Sequence, residues 1–135
     1  MITVRIFTPE GEAMEPLENC SIVNVDTTDG RRGILPRHQS IVLVLDIGRM
    51  EIQQGENRLK YTISGGMLYF DRPTDTATVL TDSIERFEDI DVQRAVRAKE
   101  RAEQRLASKK ETLDRTRAEI ALRKAINRIR AAGSL

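Results

Sequence analysis

The sequence predicts an α+β protein: an N-terminal antiparallel β-sandwich over residues 1–84, followed by a C-terminal two-helix antiparallel hairpin over residues 85–135. Three observations predict it. Short apolar and alternating runs, separated by turn residues at regular intervals, fill the first eighty positions, the pattern of packed sheets rather than of βαβ units. After Asp91 the composition changes to Ala, Arg, Lys, Glu and Leu, with neither Pro nor Gly until Gly133, so that nearly every position favours helix. Charge divides at the same place. Residues 1–90 carry nine Lys/Arg against fifteen Asp/Glu, a balance of −6, whereas residues 91–135 carry thirteen against six, a balance of +7.

Each strand has its own signal. Ile2 to Phe7 alternates and stops at Thr8-Pro9-Glu10-Gly11. Cys20 to Val25 follows, closed by Asp26-Thr27-Thr28-Asp29-Gly30, whose Asp-Gly pair suits a turn with positive φ. Gly33-Ile34-Leu35-Pro36 is a short extended piece ended by proline. Ile41 to Leu45 is continuously apolar, which predicts a strand buried on both faces, and Gly48 to Ile52 returns to alternation. Arg58–Ile63 and Met67–Phe70 flank Ser64-Gly65-Gly66, which reads as a hairpin with a tight Gly-Gly connection. Thr76 to Thr81 completes a set of eight or more strands in two packed sheets.

The helical half begins at Asp91, an N-cap preceded by Glu88 and Asp89, whose charges suit the positive end of a helix dipole. Ala95, Ala98, Ala102 and Leu106 recur at spacings of three or four, and Ala118, Leu122, Ala125, Ile129 and Ala132 do the same farther on. Ser108 to Thr112 interrupts the pattern and is the predicted turn, with Thr112 or Asp114 opening the second helix. Alanine stripes let two helices approach closely but remove little apolar area from water. At about 25 cal/mol per Å² the hairpin is marginal by itself, so a ligand or partner contributing a few kcal/mol can change its state.

Composition excludes several functions. Aromatic residues make up 4% of the chain and Trp is absent, so the core rests on aliphatic packing and stacking platforms for single-stranded nucleic acid are not expected. The basic hairpin lacks a nucleic-acid motif, and its acidic companion would repel phosphates, so no nucleic-acid partner is predicted. Cys20 and His38 are each the only residue of their kind, which leaves no disulfide and no metal-ligand cluster. No catalytic residue is predicted: Gly-x-Ser-x-Gly is absent, and Gly30 and Gly33 lack the Lys-Ser/Thr of a phosphate loop. His38 reads as a surface or turn residue after Pro36. The longest apolar string is Ile41 to Leu45, too short to span a bilayer, so any membrane link is expected through partners.

The order of features resembles the epsilon subunits of bacterial F-type ATP synthases. The resemblance rests on Gly33-Ile34-Leu35-Pro36 followed by His38, on Ile63-Ser64-Gly65-Gly66-Met67-Leu68, on Ile90-Asp91-Val92-Gln93-Arg94-Ala95, on Ala98 to Glu103, and on Ala125-Ile126-Asn127-Arg128. Each motif is weak alone; their order along the whole chain is specific. It implies a noncatalytic subunit of the central stalk, peripheral on the cytoplasmic face of the bacterial plasma membrane, in a complex that couples hydrogen ion transport to ATP synthesis. The sandwich would bind the gamma subunit and the c-subunit ring. The hairpin would permit turnover when folded and block ATP hydrolysis when extended into the alpha/beta catalytic hexamer.

In ATP-sensing members of that family, an Ile/Leu-Asp-x-x-Arg-Ala motif helps hold one ATP, with or without Mg, and stabilises the folded hairpin. The resemblance carries this role to Ile90, Asp91, Arg94 and Ala95, adds the carboxylate of Glu85, and places Arg101, Lys124 and Arg128 around the phosphates. Carboxylates can accept from the adenine amine, and cations from two helices on one polyphosphate would tie them together. The chain departs from the pattern at Lys124, where the family has Arg, and at Arg31-Arg32 and Gln39-Ser40 in the ring-facing loop. The alternative is a purely structural stalk subunit without nucleotide sensing.

Overall fold

The computed structural model describes residues 1–108 and 112–134 and divides the chain into two compact units, Met1–Arg86 and Phe87–Leu135. The first unit holds eight strands: β1 (Ile2–Thr8), β2 (Gly11–Glu12), β3 (Leu17–Thr27), β4 (Gly30–Ile34), β5 (Ile41–Gln54), β6 (Asn57–Asp71), β7 (Thr76–Leu80) and β8 (Ile84–Arg86). Their order is β2-β1-β7-β6-β5-β3-β4, with β8 on β6 and a further β1–β3 pairing that closes the path into a sandwich-like barrel. One pairing departs from the antiparallel expectation. β1 and β7 run parallel, from Thr3↔Thr76 to Phe7↔Leu80, with the intervening strands serving as the long crossover that parallel neighbours need.

The core follows the period-2 rule. Ile2, Val4 and Ile6 of β1 point inward and meet Val23, Val25, Met50, Ile52, Leu68, Phe70 and Val79, all essentially buried. Each large apolar side chain buried in this way contributes about 1.5–3 kcal/mol relative to exposure, which offsets the chain entropy lost by the strands.

Two sequence expectations are corrected here. Ile41 to Leu45 is not buried on both faces: Leu43 and Leu45 enter the core, while Val42 and Val44 are 52% and 55% exposed. Ser64-Gly65-Gly66 is not a hairpin either, but lies inside the single fifteen-residue strand β6. There β6 changes neighbours, from β8 at Tyr61–Ile63 to β7 at Met67–Asp71. Gly66, at φ +116, passes so close to β7 that a Cβ would overlap the Leu80 carbonyl oxygen. The tight turn instead joins β5 to β6 at Gly55-Glu56, with Gly55 at φ +60, and thirteen residue pairs run back from it. The turn at Gly30, at φ +109, agrees with the Asp-Gly signal.

The second unit opens with a 3₁₀ turn, Phe87–Asp89, and continues as α1 (Val92–Ala107) and α2 (Thr112–Gly133). Phe87 and Ile90 pack on Ala131, so the start of the unit lies beside the end of α2 and the helices are antiparallel. Among the described residues, the buried positions of the two helices are small: Ala95, Ala102, Ala118, Ala125 and Ala131. Ser108 closes α1, its hydroxyl donating to the Arg105 carbonyl at 2.9 Å. The rest of the expected turn, Lys109 to Glu111, lies outside the described residues.

Candidate functional site

Seven of the eight sequence-designated residues fall in the helical unit. Asp91 caps α1: its backbone is extended, at φ −81 and ψ 100, and its Oδ1 accepts from the Arg94 amide at 3.1 Å. The first helical bond follows, from the Ala95 amide to the Asp91 carbonyl at 3.0 Å. Ile90, just before the cap, is buried in the cluster with Phe87 and Ala131 and fixes the entry of the chain into the helix. Ala95 is fully buried, while Arg94 and Asp91 are exposed. The motif therefore places its apolar members inward and its two charges on the surface.

Arg101 stands seven residues beyond Arg94, two turns along nearly the same line of α1, and is also exposed. Lys124 and Arg128, half-buried and one turn apart, flank Ala125 on α2. Because the helices are antiparallel, this second half of α2 runs beside the first half of α1. Glu85 belongs to the other unit, in β8 opposite Thr62, whose hydroxyl donates to the Glu85 carbonyl at 3.4 Å. The helical unit thus carries the four designated cations on two helices, together with Asp91, whose second carboxylate oxygen is not used in the cap.

A second surface had no counterpart in the sequence reading. Val42, Val44, Met67, Tyr69 and Leu80 are each 45–55% exposed on the outer face of β5, β6 and β7. The register makes them neighbours, with Val42 opposite Tyr69, Val44 opposite Met67, and Met67 opposite Leu80. Beside them a shallow cleft of about 350 Å³ is lined by Phe7, Pro9, Gly66, Met67, Leu80 and Asp82, among others. A contiguous apolar stripe on a solvent face marks a place where another surface packs. The available signal was the unbroken run Ile41 to Leu45, whose outward half has no cover within the β-unit.

The remaining candidates are structural. Asp26 accepts from the Arg31 guanidinium at 2.9 Å and from the Arg49 amide at 2.8 Å, and Arg31 also reaches Glu51 at 3.4 Å. Burial pushes the Asp26 carboxyl up, but these hydrogen bonds and the charges of Arg31 and Arg49 together hold it below its ordinary value. Burial raises the Cys20 thiol, which disfavours the thiolate. His38 sits in a turn, its amide donating to the Leu35 carbonyl at 3.1 Å and its ring edge-on to Phe70 at 6.1 Å. Among the described residues no group of three His, Cys, Asp or Glu side chains could hold a metal ion, and no helix is long and apolar enough to cross a membrane.

Comparison with known proteins agrees with this architecture unit by unit. Residues 1–87 match the ATP synthase delta/epsilon chain beta-sandwich domain, and residues 88–133 match the long alpha-helix domain of the same chain. The ATP synthase epsilon chain of Desulforamulus reducens is 46% identical over 127 residues, covering 94% of this chain and 93% of that one. That of Halalkalibacterium halodurans is 42% identical over 131 residues, covering 96% of each. A chain in the cryo-EM structure of the Euglena gracilis mitochondrial ATP synthase shares the fold at a TM-score of 0.80 and 23% identity, covering 99% of this chain and 81% of that one. A chain of the Tetrahymena thermophila mitochondrial ATP synthase shares it at 0.67 and 14%, covering 97% and 96%. With both units matched in order and relatives of this identity spanning nearly the whole length, the chain belongs to the ATP synthase delta/epsilon chain family, as an epsilon subunit, a non-catalytic subunit of the ATP synthase complex.

Proposed function

We propose that this subunit works in the rotary central stalk, where the β-sandwich couples rotation to catalysis and the hairpin restrains ATP hydrolysis. The sandwich binds the gamma subunit through the apolar face of β5, β6 and β7. It rests on the c-subunit ring through the loop between β4 and β5, and these contacts hold it peripherally at the cytoplasmic face of the plasma membrane. The hairpin, when extended, enters the alpha/beta hexamer; ATP, held by Asp91, Arg94, Arg101, Lys124 and Arg128, with Ile90 and Ala95 buried beneath that charged face, favours its folded state. The observation that carries this reading is the helix pair itself. Among the described residues its buried positions are alanines, and its surface is basic, so folding rests on a small apolar gain that a bound polyanion can tip.

Calorimetric titration of the full chain with ATP, with and without Mg, tests the nucleotide site. Asp91→Ala would confound the result, because it also removes the helix cap. Asp91→Ser keeps a cap acceptor but is too short to reach a ligand, and Arg94→Ala leaves the cap intact. Binding to the parent chain that is lost in both variants supports the site. Absence of binding to the parent chain leaves a structural stalk subunit. Removing residues 91–135 and reassembling the complex tests inhibition separately: ATP hydrolysis rises if the hairpin restrains it, and stays level if it does not.

A further inference from the structure

The loop that joins β4 to β5 is held in a conformation it would not adopt unaided. Arg37 sits at φ +66, in the left-handed region disfavoured for a long side chain. Leu35, two residues before it, is 57% exposed and contributes little to the core. Two side chain–backbone bonds clamp this loop to the β6–β7 turn, more than thirty residues away. The Arg37 amide donates to Asp75 Oδ1 at 2.7 Å, and the Arg72 amide donates to Ser40 Oγ at 3.0 Å. Asp75 is itself fixed: its carbonyl accepts from the Thr3 amide at 2.9 Å, its amide donates to the Arg72 carbonyl at 3.2 Å, and its second carboxylate oxygen lies 4.0 Å from the α-ammonium of Met1.

Backbone strain in a surface loop persists only where its surroundings over-determine it, and an apolar tip held ready in advance binds without an ordering cost. We infer that Asp75 is a positioning residue: it latches Arg37 in the left-handed conformation and so presets the Leu35–Arg37 tip to dock on a neighbouring subunit. The inference rests on the stalk reading above, with the ring of c subunits as the docking partner. It assigns the latch to a residue that makes no part of the docking tip itself.

The test adds full-length chain back to ATP synthase complexes depleted of this subunit and reads binding affinity together with the ratio of proton pumping to ATP hydrolysis. Asp75→Ala is expected to weaken binding about tenfold and to lower the ratio. The Arg37 amide is expected to exchange hydrogen at least about tenfold faster in the isolated variant. Asp75→Asn, which still accepts from the amide, should behave as the parent. Arg37→Gly combined with Asp75→Ala should recover most of the binding, because glycine enters the left-handed region freely. Leu35→Ala truncates the exposed tip without touching the fold and should weaken binding while leaving the Arg37 amide unchanged. Full-strength binding by Asp75→Ala despite faster exchange overturns the latch, as does full-strength binding by Leu35→Ala or no recovery in the double variant. Failure of the parent chain itself to bind the depleted complex would instead sink the stalk reading.

Discussion

At Gly66 a single added atom would do the most damage, because two independent obstacles meet there. Its φ of +116 is a backbone state that side chains rarely adopt, and the added Cβ would overlap the carbonyl oxygen of Leu80, a backbone atom that cannot swing away. Gly66→Ala is therefore expected to cost about 3 kcal/mol or more in urea unfolding of the chain. Gly55 supplies the control. It has φ +60 with open space around the missing Cβ, so Gly55→Asn should cost less than about 1 kcal/mol. Equal losses at the two positions would show that the close approach to β7 is not what selects glycine at position 66. Asp91 follows a different rule, since it works through its side chain. Asp91→Ala should lower helix stability by about 1 kcal/mol, followed as ellipticity at 222 nm during thermal unfolding, and Asp91→Ser should restore most of it.

Three strands are joined by one carboxylate, and the pH dependence of that joint can be signed. Asp26 of β3 receives Arg31 of β4 and the Arg49 amide of β5, while Gly48 leaves the space its carboxylate fills; a Cβ there would lie 2.6 Å from an Asp26 oxygen. A carboxyl whose folded pKa is depressed stabilises the fold above its unfolded value, about 3.9, and loses that contribution as pH falls through the folded value. Asp26→Asn should lower stability at neutral pH and flatten the loss of stability below about pH 4. Parallel acid limbs in parent and variant would mean that the network is not coupled to folding. At this scale the sequence was readable where a signal is local. The Asp-Gly turn at Gly30 and the Asp91 cap each depend on residues within a few positions, and both are found. Gly65-Gly66 was misread because the same dipeptide serves a hairpin turn and a strand passing close to a neighbour. What separates the two is Leu80, fourteen residues away and invisible to any window. The apolar run Ile41 to Leu45 misled for a related reason: periodicity reports which residues avoid water, but not whether the cover belongs to the same chain.

Taken whole, the molecule concentrates its stability in one unit and its basic charge in the other. Every residue of the main core lies between Ile2 and Val79, so the chain cut after Arg86 should fold alone, with strand ellipticity and a melting temperature close to those of the β-unit in the full chain. The split in charge and composition made this division legible from sequence, and the helix cap within the candidate site was legible as well. The grouping of Arg101, Lys124 and Arg128 with the Asp91 motif is an expectation of family resemblance alone, because it depends on how two helices align. That alignment rests on alanine, which gives the last prediction its sign. Ala102 is 1% exposed, and replacing it with leucine puts three extra carbons where the helices leave no room. Overpacking of this kind costs about 1–3 kcal/mol, more than an alanine-lined pair can lose while staying closed. Ala102→Leu should therefore melt the helical unit at lower temperature while the β-unit transition stays in place, and it should weaken ATP binding by holding the hairpin open. In the assembled complex the same variant should hydrolyse ATP more slowly, because the proposed switch makes the open hairpin the restraining form. Faster hydrolysis with an opened hairpin would reverse the proposed direction of the switch, and unchanged hydrolysis would confine the helices to a structural role.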